Sequence, residues 1–382
     1  MTEWKEYKLG EVIKTNVESI GKDYPYSKIL YLDTGSITRN NIDQYQEFEL
    51  DKAPSRAKRL VKQDDIIYSS VRPNQLHYGY ITNPANNLVV STGFVTITCN
   101  KAYIEPKFLY YYLTQENITE YLHSVAEAST SAYPSLKPSD IEFLDISLPP
   151  LPEQIRIASI LSSLDDKIDL LHRENKTLEA MAETLFRQWF IEEAKEDWEE
   201  GKLGDEFEFI MGQSPSGESF NEEGVGIPMY QGNADFGFRF PTRRVFTTQP
   251  TRFAEINDTL ISVRAPVGAQ NMATEKCCIG RGVAAFRYKD NSSFYSYTYY
   301  KLKSLLDDIK QYNDNGTVFG SISKSDFENI DIMIPDKDTI LNFQKQVKPI
   351  DDKIINNNYE IQTLIQQRDG LLPKLMSGEV KI

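Results

Sequence analysis

LPPLPEQIRIASILSSLDDKI, residues 148–168, sets the architecture of this chain. Pro149, Pro150 and Pro152 stop any strand, because proline offers no ladder donor. From Glu153 to Phe190 there is neither Gly nor Pro, so the run predicts a single helix, about 57 Å long if wholly helical. Its apolar spacing alternates four and three through Ile157, Leu161, Leu164, Ile168, Leu171, Asn175, Leu178, Ala182, Leu185 and Trp189. That is the seam of a left-handed coiled coil, interrupted by one amide.

The same run ends in a motif that returns. DDKI at 165–168 recurs at 351–354, DISLP at 145–149 as DIMIP at 331–335, and PSDIE at 138–142 as KSDFE at 324–328, all at one offset of 186. Further upstream WKEYKLGE (4–11) recurs as WEEGKLGD (198–205), and DIIYSSVR (65–72) echoes DTLISVR (258–264), with the offset drifting as loops differ in length. Three ungapped matches in one order predict two similar halves, an internal repeat with pseudo-twofold symmetry. The offset carries the seam to Phe343, Val347, Ile350, Ile354, Asn357, Ile361, Leu364, Arg368, Leu371 and Leu375, where only Arg368 breaks the pattern. A globular segment between the helices makes an antiparallel return easiest. Aligning the two seams midpoint to midpoint then sets Asn175 opposite Asn357, a pair that would fix register, since a slip buries an amide without a partner. Apolar residues flanking the seam form a wider stripe: Ile160, Met181, Phe186, Phe190, Ile365, Leu372 and Met376. Either the chain's own globular parts or a partner subunit covers it.

The segments before each helix, 1–150 and 194–337, read as strand-rich, with short β-branched and aromatic runs such as Ile66-Ile67-Tyr68 and Phe94–Ile97 between Gly, Asn and Pro. One amphipathic helix is expected in each, from Phe108 to His123 and from Phe294 to Tyr312. The fold class is therefore α+β: two similar globular domains separated by two long antiparallel helices, 151–193 and 338–382, forming a coiled coil.

The halves differ in loops whose residues suit the reading of nucleic-acid edges. The first offers Arg56, Lys58, Arg59, Arg72, Asn74, Gln75, Tyr78, Ser131 and Tyr133. The second offers Gln213, Ser214, Tyr230, Gln231, Asn233, Arg239, Arg243, Arg244, Arg264, Arg281 and Thr317. Arg forks onto guanine and Asn or Gln onto adenine, while Lys, Ser and Thr grip phosphate. Against this stands a net charge of -14. Residues 149–200 hold 13 acidic and 6 basic side chains, half of that total, so the halves themselves are near balance. The charge still permits an acidic interaction scaffold or a DNA-mimicking inhibitor as the alternative reading.

No catalytic signature is present. There is no G-x-x-x-x-G-K-[ST] phosphate loop, no G-x-G-x-x-G turn and no N-P-P-[YF] or D-P-P-[YF] tetrapeptide. His77, His123 and His172 are scattered, and Cys99, Cys277 and Cys278 lack zinc-site or disulfide-framework spacing, so no metal is expected. The opening MTEWKEYKLGEV has no apolar run of signal length, so a reducing cytoplasm fits best.

The W-x-x-x-K-L-G openings at Trp4 and Trp198, the 148–168 run and the closing LLPKLMSGEV (371–380) together resemble the specificity subunits of type I restriction-modification systems, over essentially the whole chain. The second copy departs from the pattern at Ile334-Pro-Asp-Lys-Asp338, where the first has LPPLPE. The resemblance implies two target recognition domains, each reading half of a bipartite, asymmetric double-stranded DNA target, with the helices as a ruler. It also implies two modification (methyltransferase) subunits docked on the helices, binding S-adenosylmethionine and flipping an adenine, and restriction (translocase/endonuclease) subunits using ATP and Mg. No catalysis and no cofactor would belong to this chain.

Overall fold

The computed structural model describes residues 4–128, 135–311 and 320–382. Contacts divide the chain into two units, Met1–Leu170 with Glu360–Ile382, and Leu171–Tyr359. Each long helix is thus shared: it begins in one unit and ends in the other.

In the first unit, one sheet has the strand order Gln46–Glu49, Lys28–Leu32, Leu88–Ser91, Ala57–Leu60, and the next has Ile13–Thr15, Phe94–Cys99, Ile66–Ser69, Tyr78–Tyr80. The second unit repeats both orders. Val245–Thr247, Ile227–Tyr230, Cys277–Ile279 and Phe253–Ala254 form one sheet, with Phe220–Asn221 added at its edge. Phe207–Met211, Val283–Tyr288, Thr259–Ser262 and Gln270–Met272 form the other. Even the one parallel pairing among each module's described strands recurs, Lys28–Leu32 with Leu88–Ser91 and Ile227–Tyr230 with Cys277–Ile279. Ile66–Ser69 and Thr259–Ser262 are buried at every residue, as strands covered on both faces must be.

The repeated motifs close these modules. Lys5–Lys8 pairs with Asp145–Leu148, and Glu199–Lys202 with Asp331–Ile334, so the start of each module is stitched to its end. Lys8 Nζ reaches Asp145 at 2.6 Å and Lys202 Nζ reaches Asp331 at 2.5 Å, while Leu9 and Leu203 are fully buried. What repeats in the sequence is scaffold.

The helices run Leu151–Arg187, followed by a wider turn at Gln188–Glu192, and Lys337–Met376. Asp336 accepts the Thr339 amide at 2.9 Å and so caps the second helix without the first copy's proline cluster. That helix continues through Pro349; burial of Val347 and Ile354 on either side offsets the lost amide bond. Within the first unit Asp165 meets Arg368 and Lys167 meets Glu360. Within the second, Asn175 meets Asn357 and, further along, Phe186 meets Phe343. Numbers rise on one helix as they fall on the other, so the pairing is antiparallel in each unit. Asn357 Nδ2 donates to Asn175 Oδ1 at 2.8 Å, the facing pair expected from the seam.

Each module builds its core on the helix pair. Ile157, Leu161, Leu375 and Met376 join Leu9, Ile66, Phe108 and Ile141 in the first unit. Ala182, Phe186, Phe190, Phe343, Val347 and Ile354 join Leu203, Phe286, Tyr297 and Phe327 in the second. This corrects part of the expected partner stripe, because Phe186, Phe190 and Met376 are consumed by their own module's core. Ile160 and Met181 stay exposed; Ile365 and Leu372 are half-buried.

Both minor helices also need correcting, for each is split in two. Pro106–Leu113 is followed by Glu116–Glu127, with Gln115 extended between them. Thr114 Oγ1 and Gln115 Nε2 donate to the Tyr111 and Tyr112 carbonyls, closing the first helix with local bonds that compete with its continuation. Tyr295–Ser304 breaks at Leu305 before Leu306–Lys310, where Ser304 Oγ turns back to the Lys301 carbonyl. Tyr312 lies outside the described residues. No helix among the described residues is long and apolar enough to cross a membrane.

Candidate nucleic-acid interface

Each module gathers exposed polar side chains at the same corner, where the fully buried central strand emerges. In the first, Ile66–Ser69 leads into Ser70, whose amide and hydroxyl both donate to the Gly93 carbonyl at 2.8 Å. Thr92 donates to the Arg56 carbonyl at 2.8 Å, and Val71 bridges Ser135. Arg72 follows, then a single tight turn over Pro73–Gln75. Arg72 and Leu76 bracket that turn with φ of 48° and 60°, left-handed conformations that cost a non-glycine residue about 1–3 kcal/mol and persist only where the surroundings enforce them. The turn holds Arg72, Asn74 and Gln75 outward, all exposed.

In the second module the backbone bonds around this strand end recur beneath other side chains. Val263 donates to the Gly282 carbonyl at 2.9 Å, and Arg264 bridges Ser321 as Val71 bridges Ser135. The turn Gly280–Arg281–Gly282 lies against the Gln231 backbone so closely that a Cβ on Gly282 would stand 2.1 Å from the Gln231 carbonyl, which only glycine permits. The Arg281 amide donates to Ser214 Oγ at 3.1 Å. The result is a cleft of about 200 Å³ walled by Ser214, Gln231, Asn233, Arg264 and Arg281, with backbone from Gly232, Ala265 and Gly282. No carboxylate among the described residues lines it. Five residues singled out from sequence thus converge, and Gln213 is exposed beside them on the strand edge, its amide bound to the Ile279 carbonyl.

Other candidates fall elsewhere. Arg56 and Lys58 are exposed and Arg59 is half-buried, along or beside the edge strand Ala57–Leu60. Arg243 holds Glu275 at 2.5 Å, and Arg244 holds the buried Asp235 at 2.7 Å, a contact that keeps its guanidinium more firmly protonated. Three candidates are interior instead. Tyr78 is buried between Tyr68, stacked at 5.8 Å, and Tyr110, edge-on at 6.1 Å. Tyr230 is 1% exposed, and burial pushes its hydroxyl up, so it stays neutral. Arg239, 2% exposed, faces the helices. An aromatic or basic residue in a polar loop reads the same in sequence whether it points outward or inward. Ser131, Tyr133 and Thr317 lie outside the described residues.

What sequence reading missed is backbone: the Gly280 and Gly282 pair that narrows the turn, and Arg39 and Asn40, whose amides bond the Leu76 and Tyr78 carbonyls beside the first corner. The Gly-x-Gly spacing was the available signal for the first of these. Nothing local distinguished the second.

A family model described as the type I restriction modification DNA specificity domain matches residues 1–180 and 195–367. A protein of Methanocaldococcus jannaschii, provisionally named a type I restriction enzyme MjaX specificity subunit, is 32% identical over 395 residues, covering 98% of this chain and 90% of its own. The type I restriction enzyme HindI specificity subunit of Haemophilus influenzae is 25% identical over 468 residues, with both chains covered fully. In fold, the chain is similar to the crystal structure of a type I restriction-modification S subunit from M. genitalium, with a TM-score of 0.60 at 20% identity over 98% of this chain and 96% of that one.

Proposed function

Because this chain belongs to the type I restriction modification DNA specificity family, we propose that its two modules read the two halves of a bipartite, asymmetric DNA target, each through the corner at which Arg72 or Arg264 emerges. The chain is the DNA-recognition subunit of such a system and not the enzyme, rather than the acidic scaffold or DNA mimic that its net charge also permits. One observation carries the reading: two modules with the same strand orders and the same backbone bonds at Ser70 and Val263 present different exposed side chains there. A shared frame with divergent tips is what two readers of unlike sequences require, since phosphate grip can be generic but base edges must be matched singly.

In this proposal Arg264 and Arg281 fork onto guanine or phosphate, and Gln231 and Asn233 onto adenine, with Arg72, Asn74 and Gln75 doing the same in the first module. The paired helices set the length of the unread gap. Two modification subunits dock on the helices, using exposed apolar positions such as Ile160 and Met181, and supply S-adenosylmethionine. Restriction subunits add ATP, Mg and cleavage, all within the cytoplasm. Partner cations then supply much of the phosphate grip that an acidic chain lacks.

Exchange of residues 1–150 for those of another family member tests the modular assignment. Methylation mapping of the assembled complex should show one half of the target replaced and the other kept. Replacement of both halves, or of neither, refutes it.

A further inference from the structure

The two halves neutralise the same helix acid by opposite routes. In the first unit Asp165 accepts from Arg368 Nη1 at 2.8 Å and from the Tyr111 hydroxyl at 2.6 Å. Both ionic partners sit on the helices, which is why an arginine interrupts an apolar seam. The repeat carries Asp165 to Asp351 and Arg368 to Ala182. Ala182 is fully buried and brings no cation, so Asp351, 1% exposed, needs one from elsewhere. Arg239 delivers it from the loop between Tyr230 and Val245.

Its surroundings are closed. Arg239 Nη2 donates to Asp351 Oδ1 at 2.8 Å and Nη1 to the Tyr300 hydroxyl at 3.1 Å, with Glu179 Oε1 at 3.8 Å. The guanidinium lies 3.4 Å from the centre of the Tyr299 ring. Glu179 is shared with Lys303, which also reaches Glu183. A planar, permanently charged fork stacked on an aromatic face and bonded to a buried acid is an arrangement that lysine cannot reproduce.

The loop that carries Arg239 is braced within itself at Asp235 and tied to the strand Gln270–Met272, whose Met272 amide donates to the Arg239 carbonyl at 2.9 Å. Asp235 accepts the Gln231 amide at 2.6 Å and the Arg244 guanidinium at 2.7 Å, and Asn271 bonds the amide and carbonyl of Gly237 at 3.0 and 2.9 Å. Asp235 therefore couples Gln231, which lines the cleft with Asn233, to the segment that carries Arg239. In the first half the corresponding loop has Arg39 exposed, and its helix acid is already satisfied.

We propose that Arg239 is a positioning residue, a latch that holds the second module's Gln231–Arg244 loop on the helix pair and thereby sets where Gln231 and Asn233 meet DNA, a device that the first module lacks. The consequence for base preference rests on the reading of the cleft given above; the latch itself does not. Arg239→Met should speed amide exchange across residues 232–244 at least tenfold in the full chain. In the complex with its modification subunits it should relax preference in the second half-target alone.

Ala182→Arg combined with Arg239→Met rebuilds the first half's arrangement in the second. It should restore thermal stability toward wild type while loop exchange stays fast and the second half-target stays relaxed. If the double variant restores loop protection and preference as well, or if Arg239→Met leaves loop exchange unchanged, there is no latch. Should the double variant not fold, Asp351→Asn, which keeps Arg239 and the shape of its receptor, gives the same decision: faster loop exchange supports the latch and unchanged exchange overturns it. Arg264→Ala, mapped in parallel, reports on the cleft by itself.

Discussion

Asn357→Leu would test whether the amide pair fixes the helix register. Asn357 is fully buried and Asn175 is 4% exposed. Asn357 Nδ2 serves Asn175 Oδ1 at 2.8 Å and Glu174 Oε2 at 2.9 Å. Leucine removes both bonds. Glu174 is partly exposed and recovers its bond from water, whereas Asn175 Oδ1 faces the seam. An orphaned buried acceptor costs about 1–3 kcal/mol, offset in part by the apolar burial that leucine adds and by removal of Asn357 Oδ1, itself buried without a partner among the described residues. In a unit the size of Leu171–Tyr359, 1 kcal/mol moves the melting temperature by roughly 2–4 °C, so a net loss of about 1 kcal/mol lowers it by about that much. Asn175→Leu should cost less, because Asn357 Nδ2 keeps its bond to Glu174. The double variant Asn175→Leu/Asn357→Leu leaves no amide in the seam and should be near wild type or above it, because a seam of leucines favours association over register. A double-mutant cycle by thermal and urea unfolding of the full chain then gives a favourable coupling of about 1–3 kcal/mol. Additivity to within about 0.5 kcal/mol would refute the pairing argument.

Glu206 is 4% exposed, with one oxygen receiving the Tyr297 hydroxyl at 2.7 Å and the other without a partner among the described residues; burial pushes its carboxyl up to about 7, moderated by Lys301 and Tyr297. Since the unfolded chain ionises this group near 4.5, the native state binds its proton more tightly between those values, and stability falls as pH rises from about 4.5 through about 7, by on the order of 3 kcal/mol. Glu206→Gln should flatten that decline, and parallel melting profiles between pH 5 and 8 would rule the explanation out. If the helices set the unread gap, one added heptad in each, after Leu170 and after Tyr359 where the contact units divide, lengthens them by about 10.5 Å and the gap by about three base pairs. The same insertion after Phe190 would instead cut into the second core. A methylation map with an unchanged gap would count against the ruler.

The sequence by itself determined the repeat, the two helices, their antiparallel sense and the amide pair. These are periodic features, and a heptad seam or a constant offset is visible wherever burial recurs at a fixed spacing. It also singled out Ser214, Gln231, Asn233, Arg264 and Arg281, though not that they share one cleft. Only the tertiary structure decided which loop side chains turn inward. Tyr78, Tyr230 and Arg239 carry the same local signature as Asn74 or Arg243, and their burial depends on groups brought from distant sequence, as the Tyr110 ring is to Tyr78, Leu260 and Ile279 are to Tyr230, and Asp351 is to Arg239. Arg368 shows the converse, a charge that looked misplaced in the seam until Asp165 faced it. Periodicity is a property of neighbours along the chain, whereas the direction of a loop side chain is settled by partners that the chain meets only on folding.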